Sequence, residues 1–168
     1  ANIEQAAYLK QHKGAEWPPK AAHDIAAECG LLPMTLSIAS QVVRSWGDGW
    51  EESVLPLLRQ QHSNKSSAGG SGAALSTVEA RIIGAGLKAL KGEDADAIEE
   101  LFAVFAVTQE DCIHAMPVIE LLWRSCCVSS SSSSNDLGMR LKVRQWTQIL
   151  VDHSLLLGSF TKGVHLHD

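Results

Sequence analysis

The chain has little of what marks membrane, disulfide-rich or strongly aromatic proteins. Aromatic residues make up only 5% of its 168 residues, and its apolar runs fall far short of the ~20 residues that a membrane helix needs. Its four cysteines include no Cys-x-x-Cys pair and are few for a disulfide scaffold of this length. We therefore expect reduced thiols in a cytoplasmic protein with no membrane partner.

The chain is also short of positive charge. It has 14 Lys and Arg against 19 Asp and Glu, which gives a net charge of -5. Proteins whose main partner is a nucleic-acid backbone need clustered Lys and Arg to neutralise phosphates. The excess of Asp and Glu over Lys and Arg makes nucleic acid an unlikely main partner, although it does not exclude a local basic patch.

The common catalytic motifs are missing as well. The sequence has no GxxxxGK[ST] loop to hold a triphosphate, no Gly-x-Ser-x-Gly elbow and no HExxH zinc motif. We therefore expect no enzymatic activity from this chain alone. It starts with Ala1 and stops abruptly after "GVHLHD", which we interpret as a piece of a longer protein.

Two low-complexity stretches divide what is there. Residues 61–76, rich in Ser and Gly, have almost nothing to bury and predict a flexible linker. Six consecutive serines from Ser129 cannot pack a core and predict a disordered loop near 128–136. The predicted organisation is a helical subdomain over 1–60, the linker, and a second domain over 77–168.

Apolar periodicity predicts helices in the first segment. Pro18 and Pro19 suit the first turn of a helix that ends at Cys29, with Gly30 as its stop signal. Pro33 suits the start of the next helix, which has an apolar residue every four positions. That stripe consists of Met34, Ile38, Val42 and Trp46. These segments predict a small helical bundle.

The second segment predicts more helices and then a hairpin. A capping box from Ser76 to Glu79 starts the first helix. Two further apolar faces are Ile98, Leu101, Phe102 and Phe105, and Met139, Val143, Trp146 and Leu150. A turn between Gly158 and Gly163 then leads into a strand that carries Val164 and Leu166. The predicted class is mainly α, with a small helical bundle followed by a winged-helix domain that has a C-terminal β-hairpin.

Three local features could carry chemistry. His165, His167 and Asp168 could be metal ligands, but zinc needs three or four ligands and no partner cluster is evident, so we expect a surface strand and no metal. Cysteines and histidines elsewhere match no zinc-finger spacing. Arg140 and Arg144 share a helix face that could read DNA in a winged helix, or be an ordinary solvated face.

A further feature is "ECGLLPMTL", residues 28–36, which fits a tight turn between two helices. With its flanks it resembles the Gly-Leu-Pro-Leu region of NB-ARC proteins, the signal-transduction ATPases (STAND class) that include plant resistance proteins and apoptotic protease-activating factors. Cys29, Leu32 and Pro33 match that pattern. Met34 and Thr35 replace its Leu and Ala, and Leu31 stands where the family usually has glycine.

The second half continues this resemblance. "TQEDCIHAMPVIELLW" is similar to the family's Phe-Pro-Glu-Asp stretch and the "LLW" that follows it. "LVDHSLL" is similar to the segment before the family's Met-His-Asp motif, which here reads Leu166-His167-Asp168. The resemblance spans about 15–168 apart from the linker and the serine loop, and it rests on the order and spacing of the motifs.

The resemblance implies a nucleotide switch in defence or cell-death signalling. In this family ADP or ATP is bound mainly by an upstream P-loop domain, which is the expected partner and the seat of any ATPase activity. Pro33 would pack against the adenine and His167 would reach the β-phosphate of ADP. Gly30, Leu32, Met34, Leu166 and Asp168 are the surrounding motif residues. The active state would be a homo-oligomer.

Two other functions remain open from the sequence. The chain could be a winged-helix nucleic-acid-binding protein that uses Arg140 and Arg144. It could also be an interaction module that needs no nucleotide.

Overall fold

The computed structural model of the chain describes residues 17–60, 77–108, 112–127 and 136–166. They belong to two compact units, 1–85 and 86–168, and the division falls inside a helix. The predicted linker at 61–76 lies outside the described residues. So does most of the predicted disordered loop, although Asp136 already begins a helix. The predicted domain boundaries stay a prediction.

The mainly α class with a C-terminal hairpin is confirmed. The described helices are α1 (Lys20–Glu28), α2 (Pro33–Trp46), α3 (Trp50–Gln60), α4 (Val78–Ala89), α5 (Ala95–Val104), α6 (Met116–Cys127) and α7 (Asp136–Asp152). A 3-10 turn, Phe105–Val107, extends α5. The strands are β1 (Leu157–Ser159) and β2 (Gly163–His165). None of the helices in the described ranges is long and apolar enough to cross a membrane.

In the first unit, α3 packs against both α1 and α2. The predicted stripe of α2 is confirmed at its centre, where Ile38 and Val42 are fully buried, while Met34 and Trp46 at its two ends are half-buried. Ile25, Cys29, Ala39, Val54 and Leu58 are the other buried apolar side chains of these helices and the turn between them. α2 begins at Pro33, directly after the extended Leu32, because proline has no N–H to lose in a first turn.

The start of α4 differs by one residue from the prediction. The hydroxyl of Thr77 accepts a hydrogen bond from the N–H of Ala80 at 3.2 Å, and the carbonyl of Thr77 accepts the N–H of Arg81. Thr77 is therefore the capping residue, where the sequence predicted Ser76. Serine and threonine can both accept a hydrogen bond from an unpaired N–H of a first turn. The motif therefore did not decide which of the two residues is the N-cap.

In the second unit, α5, α6 and α7 pack against one another. Ile98, Leu101 and Phe105 are buried as predicted, and Phe102 is half-buried. On α7 the core begins at Val143, since Met139 is 39% exposed, contrary to the prediction. Met139 lies in the first turn of α7, and near a helix end fewer neighbouring elements remain to cover a side chain.

Two tryptophans hold α6 and α7 together. Trp123 and Trp146 are 5% and 4% exposed, and their rings meet edge to face with centroids 5.3 Å apart. This is a favoured geometry for an aromatic pair. The indoles therefore belong to the core of the second unit.

The hairpin completes the winged-helix arrangement. β1 and β2 are antiparallel, and Gly158 pairs with Val164. His114, between α5 and α6, adds a third extended position. Its N–H donates to the carbonyl of Val164 at 2.8 Å, and its carbonyl accepts the N–H of Val164 at 3.0 Å. The order of helix, extended segment, two helices and hairpin is that of a winged helix.

Candidate functional site

The turn after α1 is a hydrogen-bonded helix end of the Schellman type. The N–H of Gly30 donates to the carbonyl of Ala27 at 3.0 Å, and the N–H of Leu31 donates to the carbonyl of Ala26 at 3.2 Å. This 5→2 and 6→1 pattern requires a left-handed residue after the cap. Gly30 supplies it with a φ of 65°, so its predicted role as a stop signal is confirmed.

Leu31 also lies in the left-handed region, with a φ of 59°. A residue with a Cβ adopts this conformation at a cost of roughly 1–2 kcal/mol, which glycine does not incur. The conformation gives a physical reason for glycine at this position in the pattern that the sequence resembles. Leu31 keeps the turn at that cost, and its side chain is 70% exposed.

Thr35 holds the turn from beneath. It is fully buried, and its hydroxyl oxygen lies 2.6 Å from the carbonyl oxygen of Cys29 and 2.9 Å from that of Leu32. The donated hydrogen bond ties the first turn of α2 to the end of α1. In the sequence, Thr35 is notable only because it replaces the alanine of the motif that the chain resembles. Its signal was a hydroxyl residue in the first turn of a helix, where such side chains often bond to nearby backbone.

The outer side of the turn is apolar. Leu32 is 39% exposed, Pro33 is exposed, and Met34 is half-buried. The ring of Pro33 is rigid and its helix position is fixed by the hydrogen bonds around it. The arrangement can therefore present a pre-ordered apolar surface, suited to a flat ring or an apolar side chain.

Ion pairs fix Glu28, the last residue of α1. The carboxylate of Glu28 lies 2.6 Å from Nη1 of Arg81 and 3.3 Å from Nε of Arg59. Arg81, whose side chain is only 8% exposed, also donates from Nη2 to the backbone carbonyl of Glu28 at 2.6 Å. The end of α1 is thus tied to both α3 and α4.

Cys29, the last residue before the turn, is a structural thiol. Its side chain is fully buried, and that burial raises its pKa to about 11; the charge of Arg81 opposes the rise only in part, and Glu28 adds a smaller rise. A nucleophilic cysteine needs a lowered pKa and some exposure. Cys29 therefore has neither property of a reactive thiol.

The second group of motif residues is at the end of the hairpin. Leu166, directly after β2, is half-buried. The ring nitrogen Nδ1 of His165 lies 2.8 Å from the carbonyl oxygen of Leu166, to which it donates when it carries the proton. His167 and Asp168 lie outside the described residues. Gly30, Leu32, Pro33 and Met34 come together in one turn of the first unit, and Leu166 is in the second unit.

Two other histidines of the second unit, His114 and His153, are half-buried. Nε2 of His114 and Nδ1 of His153 are buried without a hydrogen-bond partner. Burial lowers the pKa of His153, and the neighbouring Asp152 offsets this only in part. Among the described residues, no three His, Cys, Asp or Glu side chains are grouped closely enough to hold a metal ion.

The basic face of α7 is occupied by a carboxylate from α6. Nε of Arg140 and Nε of Arg144 each lie 2.7 Å from a different oxygen of Glu120, whose side chain is 7% exposed. Burial by itself would raise the pKa of Glu120, but the hydrogen bonds and charges of the two arginines outweigh it, and the pKa lies below its ordinary value. The sequence predicts the shared face of the two arginines but not their contact with Glu120.

Comparison with protein-family models, with curated protein sequences and with solved structures finds no significant match. The resemblance to NB-ARC proteins therefore rests on the motifs of the sequence alone.

Proposed function

We propose that this chain is the helical and winged-helix part of a cytoplasmic NB-ARC-type switch, which helps to retain ADP and to latch the inactive state. The observation that carries the proposal is the turn from Gly30 to Pro33. It is exposed and apolar, it is fixed by Thr35 and by the hydrogen bonds that end α1, and it coincides with the part of the sequence that resembles the Gly-Leu-Pro-Leu motif.

In this proposal, each motif supplies one kind of contact to ADP held on an upstream P-loop domain. Pro33 offers its rigid ring to the adenine. His167 donates a hydrogen bond to the β-phosphate, more strongly when the imidazole is protonated. Asp168 holds the strand end or orients His167. This chain binds and positions, while any ATP hydrolysis takes place on the upstream domain.

The switch follows from differential affinity. If His167 contacts ADP only in the closed state, ADP favours that state. A charge-assisted hydrogen bond contributes about 1.5–3 kcal/mol, so its loss shifts the equilibrium roughly ten- to a hundred-fold toward the open state. The open conformer would be the one that forms a homo-oligomer and signals.

One contact weakens the nucleic-acid alternative. The two arginines that would read a groove are bonded through their Nε atoms to Glu120. Base readout by arginine needs the guanidinium edge to be available to the base.

The test uses the nucleotide-binding protein that contains this chain. We expect a P-loop in the coding sequence upstream of Ala1, and release of a fluorescent ADP analogue that is ten- to a hundred-fold faster in the His167→Ala variant. The matched control is His165→Ala, two residues away, which should leave release unchanged. The absence of an upstream P-loop, or equal release rates in His167→Ala and the unmodified protein, would overturn the proposal.

A further inference from the structure

The first unit has an open cavity of about 570 Å³ beside α3. The cavity is lined by the last residue of α2 and by one side of α3, and the described residues that line it are Trp46, Ser53, Pro56, Leu57 and Arg59. Sites that take small molecules typically measure roughly 300–1,000 Å³. None of these five residues belongs to the turn after α1, so the proposed nucleotide contact leaves the cavity without a role.

The apolar wall of the cavity is suited to a flat ring. Residues 53, 56 and 57 are at i, i+3 and i+4, so they lie on one side of α3. Trp46 and Leu57 are half-buried there, and the rigid ring of Pro56 is exposed. Aromatic side chains hold planar rings by offset or edge-to-face contacts. Trp46 and Leu57 can therefore receive an aromatic group.

Arg59 adds a positive charge to this apolar wall. Its Nε lies 3.3 Å from Oε2 of Glu28, and its side chain is 60% exposed. Within the described part of the chain, this contact through Nε is the hydrogen bond and ion pair that Arg59 makes. The two Nη groups are therefore available to a second carboxylate, whose two oxygens match a pair of parallel N–H donors.

The polar groups at the cavity select for a negative charge on a ligand. Among the five described residues that line it, Arg59 alone is charged. The hydroxyl of Ser53, which is half-buried on the same side of α3 as Leu57, is a further group that can donate a hydrogen bond. Apolar walls with a few polar groups that fix orientation are typical of small-molecule sites.

We propose that this cavity binds a small planar aromatic carboxylate. The ring of the ligand lies against Trp46 and Leu57, and its carboxylate accepts paired hydrogen bonds from the Nη groups of Arg59. A neutral aromatic molecule keeps the ring contact but loses the charge-assisted bonds, and a cationic one meets the charge of Arg59. This inference does not depend on the proposed nucleotide switch.

The experiment measures binding of 2-naphthoate to the 168-residue chain by isothermal titration calorimetry. The probe 2-naphthamide has the same ring and nearly the same shape but no charge, so it separates the ring contact from the charge contact. We expect 2-naphthoate to bind at least about ten-fold more tightly than 2-naphthamide, because hydrogen bonds to charged groups are the stronger ones. Excess ADP should not displace 2-naphthoate from the chain.

Substitutions locate the site. Arg59→Met should weaken binding of 2-naphthoate about ten-fold or more and affect 2-naphthamide much less. Loss of the exposed contact with Glu28 should cost the fold little. Arg44→Met is the matched control, since Arg44 is an exposed arginine of α2 that is not among the lining residues. Trp46→Leu should weaken binding of both probes, and circular dichroism checks that each variant is folded.

Several outcomes would overturn the proposal. These are no detectable binding of 2-naphthoate, equal affinity for the two probes, or equal affinity of Arg59→Met and the unmodified chain for 2-naphthoate. A loss of the same size in Arg44→Met would mean that binding reports only the overall charge. Displacement of 2-naphthoate by ADP would make the cavity part of a nucleotide site instead. The comparison of Arg59→Met with Arg44→Met decides the matter even if Trp46→Leu does not fold.

Discussion

Nε of Arg144 lies 2.7 Å from Oε1 of Glu120, and this ion pair joins the last helix of the second unit to the helix before it. Arg140, one turn earlier on α7, makes the equivalent contact with Oε2. The two helices are separated in sequence by the run of serines. Apolar packing alone has little directional preference. The contact of one buried carboxylate with two arginines therefore makes the pairing of α6 with α7 more specific.

Removing the charge of Glu120 should destabilise the second unit. Glu120→Gln keeps the size of the side chain but leaves two guanidiniums facing a neutral amide. Breaking a buried ion pair costs about 3–5 kcal/mol, but both arginines are nearly half-exposed and water screens them, so we expect about 1–2 kcal/mol. Urea denaturation measures the loss. The control is Glu100→Gln, an exposed position on α5, where a loss of the same size would contradict the assignment.

The same pair predicts how stability depends on pH. The pKa of Glu120 in the folded protein is lower than its ordinary value of 4.5, so the unfolded chain takes up the proton first as the pH falls. The contribution of Glu120 is therefore complete above about pH 5 and is lost as the pH drops through the folded pKa. The difference in unfolding free energy between the wild type and Glu120→Gln should shrink over that range. A difference that stays constant down to pH 3 would contradict the prediction.

The contact of Glu120 with Arg140 and Arg144 could be predicted from the sequence only in part. Arg140 and Arg144 could be seen to share a helix face, because their spacing is local. Their partner Glu120 lies 20 residues before Arg140 and 24 before Arg144, on the other side of the serine run, and no periodicity connects it to them. A signal existed, since Glu120 interrupts the apolar run "PVIELLW", and a charged residue within an apolar stretch usually has a partner.

The helices themselves were easier to predict. Apolar stripes such as Ile38 with Val42, or Ile98 with Leu101, directly report which side is buried, and the structure buries all four. Predictions failed at helix ends, at Met139 and at the cap of α4, where periodicity no longer constrains the answer. The turn after Cys29 was predicted from Gly30, but the left-handed backbone of Leu31 was not, because leucine rarely adopts it.

Thr35 should contribute to the rigidity of the candidate nucleotide turn. Thr35→Val keeps the shape of the side chain but removes the hydroxyl that bonds to the carbonyl of Cys29. The carbonyl of Cys29 would keep only its longer hydrogen bond from the N–H of Leu32, at 3.4 Å. Because the net contribution of one hydrogen bond is about 0.5–1.5 kcal/mol, we expect a loss in unfolding free energy within that range. Thr161→Val, at an exposed turn, should lose much less. Faster amide exchange at Leu31 and Leu32 in Thr35→Val would be the local readout, and unchanged exchange there would contradict the role assigned to Thr35.

Leu31→Gly should stabilise the first unit, which is unusual for a glycine substitution. The left-handed conformation of Leu31 costs roughly 1–2 kcal/mol, which glycine would remove. Glycine also gives the unfolded chain more conformational freedom, and this offsets about 0.5–1 kcal/mol of the gain. The expected gain is about 0.5–1 kcal/mol in urea denaturation. Leu32→Gly is the matched control, because Leu32 has a φ of -79° and glycine there should destabilise. A loss of stability in both variants would contradict the strain assigned to Leu31.

Cys29 should resist alkylation in the folded protein. Its thiol is fully buried and its pKa is raised to about 11, so the reactive thiolate is both scarce and inaccessible at neutral pH. The exposed Cys126 serves as the internal control, in a Cys127→Ser background so that it is the sole thiol of its peptide. Iodoacetamide labelling followed by mass spectrometry should modify Cys126 more than about 100-fold faster. Comparable rates at neutral pH would mean that the end of α1 opens locally. The turn proposed as the nucleotide contact would then not be rigid, which would contradict the proposal.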